Sequence, residues 1–202
     1  KMHATLIGCR ERCTQKTASF GRCCFLYKKK YGRMTVGAWL NMEMEHTNPL
    51  WMILMGGGLM VGGILVRFFV GAPHVMLLSL GVEDMVPPSW LMSLLWTVSF
   101  LVVGCAAGFA FGYRSRGCEV DKYKGGMLFI LLAVLELCWY PTFFGAGLLF
   151  LSVLESILIL ILCTGVTLCF YRVSKFAGML LLLHELWLVY MLILNFAVFF
   201  NA

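Results

Sequence analysis

Charge is scarce in this sequence. Asp, Glu, Lys and Arg make up 13% of its 202 residues, roughly half the share of a soluble domain. Hydrophobic residues make up 61%. Such a composition excludes intrinsic disorder and argues against an ordinary soluble enzyme. Acid is scarcest at the start: residues 1–33 hold nine of the sixteen Lys and Arg and one acid, Glu11, a balance of +8. Residues 34–202 hold seven basic and nine acidic residues, so the +6 of the chain comes from a basic head on a slightly acidic, apolar body. Several chemical signatures are also missing. There is no Walker loop, no Gly-rich dinucleotide turn after a strand, no HExxH and no GxSxG. No nucleophile–base pair follows from spacing, and the head carries no nucleic-acid motif. The expectation is a binding protein without a cofactor, a metal, a nucleic-acid partner or catalysis.

What is present is long apolar runs. A bilayer core about 30 Å thick takes about 20 apolar residues as a helix. Five stretches qualify, at 50–70, 90–111, 127–144, 148–171 and 176–200, and Arg67 is the one Lys or Arg inside them. Backbone groups in lipid must pair internally, so the runs form helices or a closed barrel. Continuous runs favour helices, because barrel strands alternate and are about 10 residues long. The fold class expected is all-α, a polytopic membrane protein with a five-transmembrane-helix bundle. Residues 1–48 read as a basic N-terminal extension, flexible or targeting, and 49–202 as the transmembrane domain. The linker at 145–147 is barely a turn, so the third and fourth helices form an antiparallel hairpin.

Basic residues orient such a bundle. With five spans, the head shares a side with Arg114, Arg116, Lys122, Lys124, Arg172 and Lys175, while the opposite side has Arg67, fifteen basic residues against one. In an ER, plasma or bacterial membrane this places the N-terminus in the cytosol. The head is rich in Arg, Lys, Ser and Thr and resembles a mitochondrial transit segment. It also reads as a polybasic patch for anionic lipid or as a solvated tail. A mitochondrial membrane is the leading expectation, with the ER or plasma membrane as alternatives. Cys9, Cys13, Cys23, Cys24 and His3 have zinc-site residue types, but their spacing fits no usual pattern. Cys105, Cys138, Cys163 and Cys169 read as small packing residues.

Ionisable groups in a membrane helix usually face the bundle interior. Glu136, Glu155, Glu185 and His184 are the candidates. Helical spacing puts Glu136, Trp139, Tyr140 and Phe143 on one face, His184, Trp187, Met191 and Asn195 on another, and Trp96, Phe100, Val103 and Ala107 on a third. These faces suggest a cavity lined by aromatics with a few polar groups to orient a ligand. Each residue also has a structural reading: Asn195 as an interhelical hydrogen bonder, Trp90 and Trp187 as packing or interfacial aromatics. Gly58 and Gly62, and Gly104, Gly108 and Gly112, repeat every four residues and so permit close helix approach, within the bundle or in a dimer. Pro141 removes a backbone donor and predicts a kink.

The segment Trp139-Tyr140-Pro141-Thr142-Phe143-Phe144-Gly145-Ala146 resembles the WxPxFFGA signature of the translocator protein family (TspO/MBR, the peripheral-type benzodiazepine receptors). In the same order, Val66-Arg67-Phe68-Phe69 resembles the family's SRF element. Pro87-Pro88-Ser89-Trp90 with Trp96-Thr97 resembles its PPxW…VWT segment. Tyr171-Arg172-Val173-Ser174 resembles its fourth loop, and Leu186-Trp187 with Leu194-Asn195 its LAW…LN. The resemblance implies a five-helix bundle, often dimeric, with a pocket open toward the first loop. Its members bind porphyrins, haem-related tetrapyrroles and benzodiazepine- or isoquinoline-type ligands, animal members bind cholesterol, and bacterial members have been linked to porphyrin breakdown. Carried over, Trp96, Trp139, Phe143 and Asn195 line the pocket, with Trp90 and Trp187 as further candidates; Glu155 falls where the family often has Asp. The chain departs from the family at Glu136, where Asn is usual, and at Leu182, Leu183 and His184, which replace an aromatic-Pro-aromatic run. Tyr190 is followed by no Lys or Arg, so the family's cholesterol-type pattern is not met.

The function expected is a membrane receptor or carrier binding a hydrophobic small molecule, a porphyrin (haem-like) or sterol ligand, between helices of a bilayer-embedded bundle, as a homodimer or in a larger membrane complex. The alternatives are a structural accessory subunit of such a complex that keeps the fold without the ligand, and a porphyrin-modifying enzyme.

Overall fold

A computed structural model describes residues 47–71, 87–113 and 119–201. The head, its cysteines and the first loop lie outside the described residues. Five long helices follow one another: α1 Pro49–Val70, α2 Ser89–Gly112, α3 Glu119–Tyr140, α4 Leu149–Val173 and α5 Lys175–Asn201. All five, α3 counted with the turn that extends it, are long and apolar enough to cross a membrane. The chain is thus an integral, multi-pass membrane protein in contact with the lipid bilayer, and the expected five-helix architecture is the one observed.

Local chemistry sets the helix ends. Asn48 caps α1 by accepting from the Leu50 N–H at 3.1 Å, and Pro49 follows at the first position, where no donor is needed. Glu119 and Asp121 occupy the first turn of α3, where the helix dipole favours acid. Pro141 has no N–H to continue α3, and the chain passes into a π-helical turn, Pro141–Gly145, closed by Ala146 N–H donating to the Pro141 carbonyl at 2.8 Å. The kink expected from Pro141 takes this form. Gly147, with a positive φ of 64°, then reverses the chain into α4 and closes the expected hairpin. Ser174 alone separates α4 from α5, and its hydroxyl accepts from the Ala177 N–H.

The helices form a ring in the order α1–α2–α5–α4–α3, with α3 returning to α1. The tightest seam is α1 on α2. A side chain placed on Gly104 or Gly108 would lie 2.4 Å from the α1 backbone, at Met55 O and Met52 Cα respectively, and one on Gly112 would lie 2.9 Å from Asn48 O. All three α2 glycines therefore serve close approach. On α1 the buried glycines are Gly56 and Gly63. Gly58 meets nothing within 4 Å, and Gly62 meets the Leu137 side chain at 3.7 Å. Residue 58 is rotated by about 200° from 56 at about 100° per residue, so it points away from α2.

Polar contacts fix which helix ends share a side. Asn48 N–H donates to Gly112 O at 3.2 Å, Lys122 donates to Tyr113 O, and Arg172 meets Asp121 at 3.5 Å. The Tyr140 hydroxyl donates to Gly71 O at the opposite end. The basic Lys122, Lys124, Arg172 and Lys175 therefore lie at one end of the bundle and Arg67 at the other, as the loop charges require. Leu50, Ile53, Phe68, Ile130, Ile161, Leu186 and Phe200 are exposed; an apolar exterior of this kind faces lipid.

Candidate functional site

Four helices contribute to an interior cavity of about 30 Å³, room for about two water molecules. Its aromatic wall is Trp96 and Phe100 from α2, Trp139 from α3 and Trp187 from α5. Its polar wall is Ser99, Glu136, Ser156 and His184, and Ile159, Leu188 and Met191 complete it. The aromatics form a ladder. Trp139 stacks on Trp96 at 5.2 Å and on Phe143 at 5.1 Å, and Trp96 meets Phe100 and Tyr140 edge-on. Offset and edge contacts at these distances suit the ring quadrupoles.

Three members of the polar wall, Ser99, His184 and Glu136, form one connected chain across three helices. Ser99 Oγ lies 2.8 Å from His184 Nδ1, and His184 Nε2 lies 2.8 Å from Glu136 Oε1. The His184 and Glu136 side chains are 2% and 6% exposed, so the pair is closed off from bulk solvent. With Nε2–H donating to the carboxylate, Nδ1 accepts from the Ser99 hydroxyl; a doubly protonated ring donates at both. The sequence placed His184 and Glu136 on inward faces but missed Ser99. Its signal was there: Ser99 stands three residues after Trp96, on the same stripe of α2.

The other expected residues fall as follows. Phe143 is buried behind Trp139, supporting the cavity wall without reaching it. Asn195 is fully buried beside the cavity, donating from Nδ2 to Ser156 Oγ at 3.1 Å and to Met191 O at 2.7 Å, with its Oδ1 unpaired. Ser156 in turn donates to Ser152 O, so Asn195 ties α5 to α4. Trp90 is exposed at the start of α2, away from the cavity. Glu155 is half-buried, outside the cavity, with Oε2 lacking a hydrogen-bond partner. Glu185 accepts from Thr167 Oγ1 at 2.8 Å and faces a shallow apolar groove on the lipid side of α4 and α5, beside Leu182 and Leu186. Trp139 Nε1 is a third buried polar atom without a partner, in a side chain that lines the cavity. Buried donors of this kind are rare and call for an explanation, a ligand or a water among them. Among the described residues, no cluster of His, Cys, Asp or Glu is arranged to hold a metal ion.

A five-helix membrane bundle with an interior pocket of stacked tryptophans is thereby defined. The sequence profile of the TspO/MBR family matches residues 53–200. The chain is 32% identical over 112 residues to the Tryptophan-rich protein TspO of Chlorobaculum tepidum, a stretch covering 55% of this chain and 70% of that protein. No solved structure matches. The chain belongs to the TspO/MBR family, as its tryptophan, proline and glycine motifs anticipated.

Proposed function

We infer that the protein is a membrane receptor or carrier that takes a hydrophobic ligand, of porphyrin or sterol type, between α2, α3 and α5. The supporting observation is the cavity itself: three tryptophans and a phenylalanine line it, and Ser99, Glu136 and His184 converge on it. Few polar groups on an apolar aromatic wall is the usual build of a small-molecule site. At about 30 Å³ the cavity is contracted, so entry of a porphyrin-sized molecule requires the Trp96–Trp139 stack to open. A mitochondrial membrane is proposed from the Arg- and Lys-rich, acid-poor head, and a homodimer from the family resemblance.

The role proposed is binding rather than catalysis. Hydroxyl, imidazole and carboxyl in a row suggest an activated nucleophile. Ser99, however, sits in mid-helix, where the backbone N–H groups are engaged in i→i−4 pairing and supply no oxyanion hole.

Titration of the purified protein with protoporphyrin tests this reading. Saturable quenching of tryptophan fluorescence is expected, weakened in Trp96→Phe and Trp139→Phe. No quenching, or quenching unchanged in both variants, overturns it. The small cavity favours one other reading, an accessory subunit of a membrane complex whose pocket stays packed shut. That reading expects no quenching and stable co-purification with other subunits.

A further inference from the structure

Glu185 is an acid in an unusual place. It lies about 15 Å along α5 from Lys175 at about 1.5 Å per residue, near the middle of the span. Acids at such a depth almost always face the bundle interior or a partner, whereas Glu185 opens onto the lipid-side groove between α4 and α5. Thr167 donates to one of its oxygens, and among the described residues nothing bonds the other. Beside it on α5 runs a stripe of exposed apolar residues, Leu182, Leu186, Val189, Ile193, Phe196 and Phe200, at alternating steps of four and three. Lipid alone accounts for the stripe but not for the polar groups on its flanks. At about 100° per residue, Glu185 borders the stripe on the side of α4, and Tyr190 borders it on the other side. The Tyr190 ring rests on Trp187 at 5.4 Å, and its hydroxyl makes no hydrogen bond among the described residues.

We propose that a second copy of this chain packs on this stripe, α5 against α5 about a two-fold axis along the membrane normal, with Glu185 of each copy hydrogen-bonded to Tyr190 of the other. The proposal rests on the homodimer reading above and names its interface. Where two parallel helices meet along steps of four and three, the residue just before a position such as Leu186, which opens a step of three, faces the residue five further along on the partner helix. Glu185 precedes Leu186, and Tyr190 is that residue. Two-fold symmetry then supplies both bonds at once, at matching depth and with the basic ends of both copies on one side of the membrane. The chemistry closes in either protonation state, because a phenol donates to a carboxylate oxygen and accepts from a carboxylic acid. A lipid hydroxyl does not serve, because such groups sit at headgroup level, about 15 Å from the bilayer centre.

The test uses the full chain in liposomes. Two pools, carrying a donor or an acceptor dye at the C-terminus, are mixed and diluted with lipid, and energy transfer reads the dimer. Wild type is expected to dimerise. Tyr190→Phe and Glu185→Leu should each weaken the dimer about tenfold, as the loss of two interhelical hydrogen bonds implies. The double variant should be no weaker than the weaker of the singles, because both substitutions remove the same bonds. The place of contact is read with both residues intact. The photocrosslinker p-benzoylphenylalanine in place of Val189 should join two copies, and in place of Ile130, on the exposed face of α3, should not. If wild type dimerises but neither variant weakens it, if the two effects add, or if position 189 does not crosslink, this interface falls and the homodimer stands. If energy transfer stays at the level of randomly mixed dyes at every lipid ratio, both fall.

Discussion

His184 holds two buried partners at once, Ser99 and Glu136, each at 2.8 Å. Removing the imidazole strands both, and the cost of an orphaned buried polar group exceeds the worth of the bond. His184→Leu is expected to destabilise the bundle by about 1–2 kcal/mol, the upper range for interhelical hydrogen bonds in membranes, read as a lower Tm in detergent. Adding Glu136→Leu should recover much of that loss, because replacing both partners with apolar side chains removes the stranded groups. A double variant less stable than His184→Leu alone would contradict this account. Helical spacing made part of the network legible: Glu136, Trp139, Tyr140 and Phe143 share a face and all four are buried. Ser99 shares the Trp96 stripe but does not stand out, because a serine in a membrane helix ordinarily bonds back to its own backbone, as Thr97 does to Ser93 O. Only the register of α2 against α5, which one sequence does not encode, turns Ser99 to His184.

Helix against helix, the α1–α2 seam is set by glycine. A Cβ on Gly108 would lie 2.4 Å from Met52 Cα, and backbone cannot rotate away as a side chain can. Gly108→Ala must therefore part the two helices, with an expected loss of about 1–3 kcal/mol. Gly58→Ala meets open space and should be neutral or gain up to about 1 kcal/mol from helix propensity. Thermal unfolding of the two variants side by side checks the pair, and equal effects would show that the seam is not where it is described. Four-residue spacing pointed to Gly104, Gly108 and Gly112 on α2, and all three lie against the first half of α1 and its cap. On α1 it pointed to Gly58 and Gly62, whereas Gly56 and Gly63 are the buried pair. They are seven residues apart, about two turns, in a stretch so rich in glycine that several stripes fit. Hydropathy also placed the start of α3 at 127, eight residues late. The helix begins at Glu119 because Glu119, Asp121, Lys122 and Lys124 extend it beyond the apolar run, where water or headgroups solvate their charges.

Over the whole molecule, the scarcity of charge carried most of the architecture. Five continuous apolar runs of span length favour helices over barrel strands in lipid, and the loop charges matched the ends to which the polar contacts assign them. The cavity was not legible in the same way. Its walls follow from helical faces, but its volume depends on how Trp96, Trp139 and Phe143 stack, which is a matter of side-chain packing between helices. Whether ligand enters that stack or sits on the lipid-facing groove beside Leu182 and Leu186 is the central question for function. Photolabelling with a diazirine-bearing porphyrin, followed by peptide mapping, addresses it directly. The label is expected on the inward faces of α2, α3 and α5, around Trp96, Trp139 and Trp187, and to be lost when excess unlabelled porphyrin is added. Label confined to the lipid-facing surfaces of α1, α4 and α5, and insensitive to competitor, would contradict the account.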